Sequence, residues 1–298
     1  MLVVALAAIG CGAGRETPAP PPAAAASAPA AAKRPALCGA LRSRVIGQVT
    51  DPSANELSGL VRSRTQRDLL WSHDDSGAGP GLYGLRSDGR VAAHPQVTGA
   101  EAVDWEDIAT GPAAGGGALL YVGDIGDNAA ARAAIDVYRV AEPKVGDPAT
   151  APAARLTLRY PDHPHDAEAL LVDPLRGDLV IVTKVIGSAR AYRTSARAPA
   201  GTYTLTSGPS VDLSFVTAGD VSADGRIVVL RGYDRVGVWA RRGHERLTTT
   251  LARAPCVSPT SLIGEGQGEA IALDRHGTSF VTVPEGSPAA LRRYAPRG

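Results

Sequence analysis

The chain has 298 residues, 34 of them glycine and 23 proline, and 31 lysines and arginines stand against 30 aspartates and glutamates for a net charge of +1. A balanced charge with no basic stripe gives no support to a nucleic-acid or membrane-surface partner. Abundant Gly, Pro, Val, Leu and Thr with no long run of helical period point to an all-β fold, and single all-β domains of this length are common.

The N-terminus is a segment of its own. Leu2 to Gly10 is an apolar run too short to span a bilayer, ending in small residues directly before Cys11. Ala8-Ile9-Gly10-Cys11 resembles a bacterial lipobox, whose cysteine is lipidated and becomes the mature N-terminus. Ala8 stands where that pattern prefers leucine, and no Lys or Arg precedes the apolar run. An ordinary secretory signal, or a start inside a longer leader, therefore stays open beside lipidation of Cys11. Residues 12–37 are almost wholly Ala, Pro, Gly and Ser and cannot bury a core. They are expected to be a disordered tether ahead of one folded domain over 38–298.

From there the chain repeats. Arg42 to Val49 reads as a strand with no unit of its own. Five units follow, opening on Ser58-Gly59-Leu60-Val61, Glu106-Asp107-Ile108-Ala109, Glu168-Ala169-Leu170-Leu171, Gly219-Asp220-Val221-Ser222 and Glu269-Ala270-Ile271-Ala272, at spacings of 48, 62, 51 and 50 residues. A second β-rich run comes soon after each: Leu69 to Ser72, Leu119 to Val122, Leu179 to Val182, Ile227 to Leu230 and Phe280 to Val283. Asp173 to Asp178, Asp224-Gly225 and Asp274 to Gly277 supply turn chemistry between first and second strands. A third strand carries an aromatic at a near-constant offset, Tyr83, Tyr138, Tyr192, Trp239 and, more loosely, Tyr294. A fourth, more polar strand is expected at Arg90 to Val97, Arg155 to Tyr160, Thr202 to Thr206 and Glu245 to Leu251.

Four antiparallel strands in about fifty residues, repeated, is the pattern of a β-propeller blade. The fifth unit runs out of chain after its third strand, and Arg42 to Val49 supplies the missing outer strand. The expected architecture is a ring of five blades closed by an N-terminal strand; a sixth blade would need a unit hidden in an insertion.

In such a blade the start of the first strand and the loop after the second share one rim. The phrase-opening carboxylates and those loops therefore face one another across a funnel. The first strands bring Glu56, Asp104, Glu106, Asp107, His165, Asp166, Glu168, Asp220 and Glu269; the loops bring His73, Asp74, Asp75, Asp124, Asp127, Asn128, Lys184, Arg231, Tyr233 and Glu285. Such a crowd of carboxylates is self-repelling unless protonated, ion-paired or bound to a cation. Oxygen ligands suit a hard divalent cation, Ca²⁺ before Mg²⁺, and there is too little imidazole or thiolate for zinc. Glu106, Glu168, Glu269 and Asp124 are the candidate metal ligands. Asp74, Asp75, Asp107, Asp127, Asn128 and Tyr233 are candidate ligand-binding groups, and His73, His165, Lys184 and Arg231 candidate catalytic groups.

Each has a plainer reading. Asp124, Asp127 and Asn128 in G-D-I-G-D-N, and Asp74 and Asp75 beside Gly77, are also residues that make turns. A glutamate opening an inner strand can tie blades together by accepting backbone N–H bonds from its neighbour. Tyr138, Tyr192 and Trp239 are core residues, and His94, His163, His244 and His276 are most simply solvated. Lys184 and Arg231 are harder to set aside, because a charge ending an apolar inner strand is costly unless it is used. In an oxidising compartment Cys38 and Cys256 pair more readily than they stay free, but the expected strand order sets them at opposite rims, so a disulfide and two free thiols both stay open.

Trp71-Ser72-His73-Asp74-Asp75-Ser76-Gly77, Asp104-Trp105-Glu106-Asp107-Ile108-Ala109, Tyr121 to Asn128 and His165 to Leu170 resemble phrases of a largely uncharacterised family of secreted bacterial β-propeller proteins, over about residues 40–298. That resemblance implies the fold and says little about activity. The E-x-hydrophobic-Ala openings are more distantly similar to those of the esterase-like phytase and gluconolactonase propellers. That likeness implies a divalent cation on Glu106, Glu168 and Glu269, although neither family's full ligand pattern is present.

There is no G-x-S-x-G elbow, H-E-x-x-H helix, P-loop or dinucleotide fingerprint, which removes the common serine-hydrolase, zincin, kinase and Rossmann readings. Two readings stand. One is an envelope-tethered ligand-binding or scaffold module with a cation in its funnel, facing a small molecule or an envelope protein. The other is a divalent-cation-assisted hydrolase of a phosphoester, lactone or ester, with glycoside hydrolysis by funnel carboxylates as a further alternative. Either is expected to be an exported monomer that touches the membrane only through a lipid anchor, or a secreted soluble protein.

Overall fold

Leu170-Leu171-Val172 and Leu179-Val180-Ile181-Val182 are buried on both faces of their sheet. Short, β-branched and apolar on both sides, such runs suit sheets sandwiched between other sheets. The computed structural model describes residues 1–4, 34–75, 77, 79–113, 115 and 117–297. The lipidation expected at Cys11, and the leader and tether over 5–33, lie outside the described residues.

Five sheets follow one another along the chain. Blade I holds Leu57–Arg62, Leu70–Asp74, Tyr83–Leu85 and Val91–Ala93. Blade II holds Trp105–Pro112, Ala118–Asp124, Ile135–Ala141 and Ala154–Arg159. Blade III holds Ala167–Val172, Asp178–Thr183, Ala189–Ser195 and Thr206–Val211. Blade IV holds Ala218–Val221, Ile227–Arg231, Val236–Ala240 and Cys256–Val257. Blade V holds Gly268–Leu273, Phe280–Pro284 and Ala289–Pro296 and is completed by Leu41–Val49, which pairs antiparallel with Ala289–Pro296. This is the five-bladed β-propeller the repeat predicts, with its first strand closing on its last.

Cohesion comes from an apolar cluster between each pair of neighbouring blades: I with II around Trp71, Trp105 and Tyr138, II with III around Leu170 and Tyr192, III with IV around Val180 and Trp239, IV with V around Phe280 and Tyr294, and V with I around Leu60 and Tyr83. The third-strand aromatics are all buried in these clusters, as expected. Each fully buried Leu or Val side chain contributes about 1.5–3 kcal/mol, so every interface is held mainly by burial.

Two outer strands differ from expectation. In blade IV the outer strand is Cys256–Val257, and Leu247–Leu251 is a short helix. The β-branched threonines of Leu247-Thr248-Thr249-Thr250-Leu251 suggest a strand, but Leu247 and Leu251, one helical turn apart, are both buried against blade III. In blade III the outer strand is Thr206–Val211, while Gly201–Thr204 runs back to pair in parallel with Ala154–Arg159 of blade II, Thr202 opposite Thr157. That fifth strand covers an edge blade II would otherwise present unpaired.

Cys38 and Cys256 form a disulfide with Cα atoms 5.6 Å apart. The rim conflict disappears because Cys256 lies in the outer strand itself rather than in a connection leaving the blade. The short turn Ala36–Cys38 buries Leu37 and Cys38 in the cluster between blades IV and V. Among the described residues no helix is long and apolar enough to cross a membrane.

Candidate functional site

Four inner strands carry an extra residue opposite their partner: in blade I it falls between Ser58 and Val61, and in blades II, III and V it is the phrase-opening glutamate. Trp105 pairs with Asp124 and Asp107 with Gly123, leaving Glu106 out of register. Ala167 and Ala169 face Thr183 and Val182, leaving out Glu168; Gly268 and Ala270 face Pro284 and Val283, leaving out Glu269. Blade IV, whose phrase has no glutamate, pairs without a shift from Ala218 to Val221. A β-bulge bends its strand and re-aims a side chain. Here it turns three glutamates from the sheets into the funnel.

The three carboxylates share one electrostatic environment. Lys184, just after the second strand of blade III, forms an ion pair with Glu168 Oε1, and its Nζ lies 3.9 Å from Glu269 Oε1. The Tyr233 hydroxyl donates to Glu269 Oε1 at 3.0 Å, and Lys184 Nζ sits 5.4 Å from the centre of the Tyr233 ring. Glu106 lies beside Asp104 over Gly126, where a Cβ would collide with both carboxylates. Asp75, Glu269 and Glu285, from three different segments of blades I and V, bring carboxylate oxygens within 4.8 Å of one another. Glu168 Oε2 is buried without a hydrogen-bond partner.

One lysine does not neutralise this group, and the proton affinity of Glu106, Glu168 and Glu285 rises. Burial, with Glu168, Asp104 and Glu269 nearby, pushes Glu106 up to about 11. Burial and Glu269 push Glu168 up to about 8 against the opposing pull of Lys184. Burial and a hydrogen bond shared with Glu269 push Glu285 up to about 8. Burial works against the Lys184 ammonium, yet Glu168 and Tyr233 hold its pKa above the ordinary lysine value. The cluster can therefore accept a divalent cation in exchange for protons.

Several expected site residues have other work. Asp107 is fully buried; its Oδ1 accepts from Ile108 N at 2.9 Å and its Oδ2 from Leu170 N at 2.8 Å and Gly219 N at 3.1 Å. It bridges inner strands of blades II, III and IV. Asp220 accepts from Val221 N at 2.7 Å and Leu273 N at 2.8 Å, joining blades IV and V. The blade tie that the sequence suggests for the glutamates thus belongs to aspartates of the same phrases. Asp124 accepts from Val103 N and Asp104 N at 3.2 and 3.1 Å and pairs with Arg132 at 2.8 Å, so its oxygens are used in holding the loop. Asp127 caps Ala131 N and Arg132 N, Asn128 is exposed, and Asp74 accepts from Glu56 N and the Tyr83 hydroxyl.

The expected catalytic groups separate in the same way. His73 is fully buried edge-on to Trp105, and burial pushes its pKa down to about 4, leaving a neutral core histidine. Arg231 is fully buried, donates to Ala270 O at 2.9 Å and pairs with Glu265 at 3.2 Å. It reaches the blade V backbone because a Cβ on Gly268 would occupy its place. His165 lies in a separate group with Asp162 and His163. Only Lys184, of the four, borders the glutamates.

Glu265 and Asp162 are not marked by the repeat. Glu285 holds the loop position after a second strand that Lys184 holds in blade III, a correspondence visible in the sequence. At the ends of the inner strands opposite the bulges lies a cavity of about 240 Å³, lined by Arg62, Arg64, Thr110, Asp220 and Arg275 among others. Its arginines give that mouth a character unlike the acidic one. No protein-family model matches the chain, and no curated protein matches it.

Proposed function

We propose that this protein is a ligand-binding module of the cell envelope whose funnel holds a divalent cation, Ca²⁺ in preference to Mg²⁺, on Asp75, Glu269 and Glu285. The observation that carries this reading is the convergence of three carboxylate oxygens within 4.8 Å beside two further glutamates whose proton affinity is raised. Calcium tolerates irregular sets of six to eight oxygens, whereas Mg²⁺ demands near-octahedral order. Glu168, whose Oε2 has no partner, is placed to respond to the ion, and Lys184 offsets part of the carboxylate charge around it. A bound ion would present open positions to an anionic or polyhydroxylated ligand at the mouth. The 218-residue span of the disulfide and the leader expected from the sequence support an oxidising, exported setting.

The test is calorimetric titration of Ca²⁺ and Mg²⁺ into protein stripped with EDTA. About one Ca²⁺ per chain, bound more tightly than Mg²⁺ and lost in Glu269→Gln and Glu285→Gln, supports the reading. No uptake, or uptake unchanged in both variants, refutes it.

A second reading is hydrolysis of an ester, lactone or phosphoester with the ion polarising the substrate oxygen. What favours it is Glu168, raised to about 8 and in contact with Lys184, a group able to exchange protons near neutral pH. His73 and Arg231 have no part in it, since both are buried away from the mouth. Turnover of a chromogenic ester or phosphoester that depends on Ca²⁺ and is abolished in Glu168→Gln would move the assignment to an enzyme.

A further inference from the structure

Asp162-His163-Pro164-His165 precedes the inner strand of blade III, and three of its side chains converge. His165 Nε2 lies 3.1 Å from Asp162 Oδ1 and 2.7 Å from the Tyr192 hydroxyl, which also donates to Asp162 Oδ2 at 2.8 Å. His163 Nδ1 is 4.0 Å from Asp162 Oδ2, and the two imidazole rings have centroids 4.2 Å apart. One ligand atom each from Asp162, His163 and His165 falls within 4.8 Å of the others. Tyr160 fixes the group from below the exposed side, edge-on to both His165 and Tyr192 with centroids 4.9 and 4.8 Å away.

From this geometry we propose a second metal site, for a borderline transition metal of the Zn²⁺ class, on Asp162, His163 and His165. Two imidazoles and one carboxylate are the donor set such ions prefer, and Ca²⁺ does not use imidazole. Two donors 3.1 Å apart, each roughly 2.0–2.1 Å from an ion, subtend roughly 95–100° at it, between octahedral and tetrahedral values. The ion takes a position between His165 Nε2 and Asp162 Oδ1. The Tyr192 hydroxyl keeps its bond to Asp162 Oδ2 and orients that carboxylate, as outer hydrogen bonds do for metal ligands. His163 has a side chain 70% exposed and turns onto the ion from the solvent side. The site differs from the funnel in donors, in exposure and in the ion it selects.

The experiment is titration of Zn²⁺ into untagged, EDTA-stripped full-length protein, with Co²⁺ absorption in the visible as an independent signal. Expected are saturable uptake of about one Zn²⁺ that millimolar Ca²⁺ does not displace, and a loss of affinity of about tenfold or more in His163→Ala. Glu269→Gln is expected to leave Zn²⁺ binding unchanged while removing Ca²⁺ binding, so failure of this site and failure of the funnel site are distinguishable. Because His163 is exposed, its variant folds whatever becomes of His165→Gln. Absence of Zn²⁺ uptake, or equal uptake by wild type and His163→Ala, overturns the proposal.

Discussion

Glu106 offers a direct test of the funnel's electrostatics. Its folded pKa, pushed up by burial and by Glu168, Asp104 and Glu269, lies above any physiological pH, whereas an unfolded glutamate titrates at 4.5. The folded state therefore retains a proton that the unfolded state releases. A folded pKa raised in this way gives stability that is full below pH 4.5 and falls as pH rises through the folded value. At pH 7 the retained proton costs about 1.36 kcal/mol for each of roughly 2.5 pH units, or about 3 kcal/mol, and at pH 5 less than about 1 kcal/mol. Glu106→Gln keeps the shape and removes the ionisation. In EDTA the variant should be more stable than wild type by up to about 3 kcal/mol at pH 7, a rise in melting temperature of about 6 °C for a chain of this size, with little gain at pH 5. Thermal unfolding at the two pH values measures both. A lower melting temperature at pH 7, or an equal gain at both, would show that Glu106 is ionised in the fold and that this account of the cluster is wrong.

The neighbouring residue should behave in the opposite sense. Asp107→Asn sets an amide donor against backbone N–H groups of other blades and should lower stability by about 3–5 kcal/mol in urea unfolding; a change under about 1 kcal/mol would remove Asp107 as a blade tie. For the whole funnel, stability in EDTA should fall from pH 5 to pH 8, since Glu106, Glu168 and Glu285 all have raised folded pKa values, and saturating Ca²⁺ should flatten that slope by replacing protons. A flat profile without metal would contradict the raised values. Replacing both Cys38 and Cys256 by serine frees a loop spanning 218 residues, a loss of about 5 kcal/mol in the chain-entropy limit, read as a lower urea midpoint that matches wild type in reductant.

The repeat was legible because each inner strand must be apolar on both faces and must begin at the same rim, so its phrase recurs at blade spacing. The ring-closing strand was legible by elimination, as a β-rich segment without a unit. The outer strands were not, because they are half exposed and carry little pattern: Leu247-Thr248-Thr249-Thr250-Leu251 has strand composition, and only its burial against blade III selects the helix. In the site, Glu168, Lys184, Glu269 and Tyr233 were placed together by strand order alone. Removing Asp107 from the funnel while keeping Glu106 there would have required knowing that a bulge falls at the glutamate, since one residue of register reverses which side chain faces the funnel. Arg231 and His73 lie at the ends of second strands, ahead of the loops, but point into the interfaces between blades, a direction that spacing does not encode.

The bridge between Cys38 and Cys256 also sets where a mechanical load enters the ring. Tension on the chain ahead of residue 38 reaches the disulfide before it reaches Leu41–Val49, the strand whose hydrogen bonds close the propeller. The pull is then shared with the outer strand of blade IV through a covalent link, and the closing strand is shielded from being peeled away residue by residue. A domain held by its N-terminus and tugged from outside would keep its seam shut until the cystine itself was reduced.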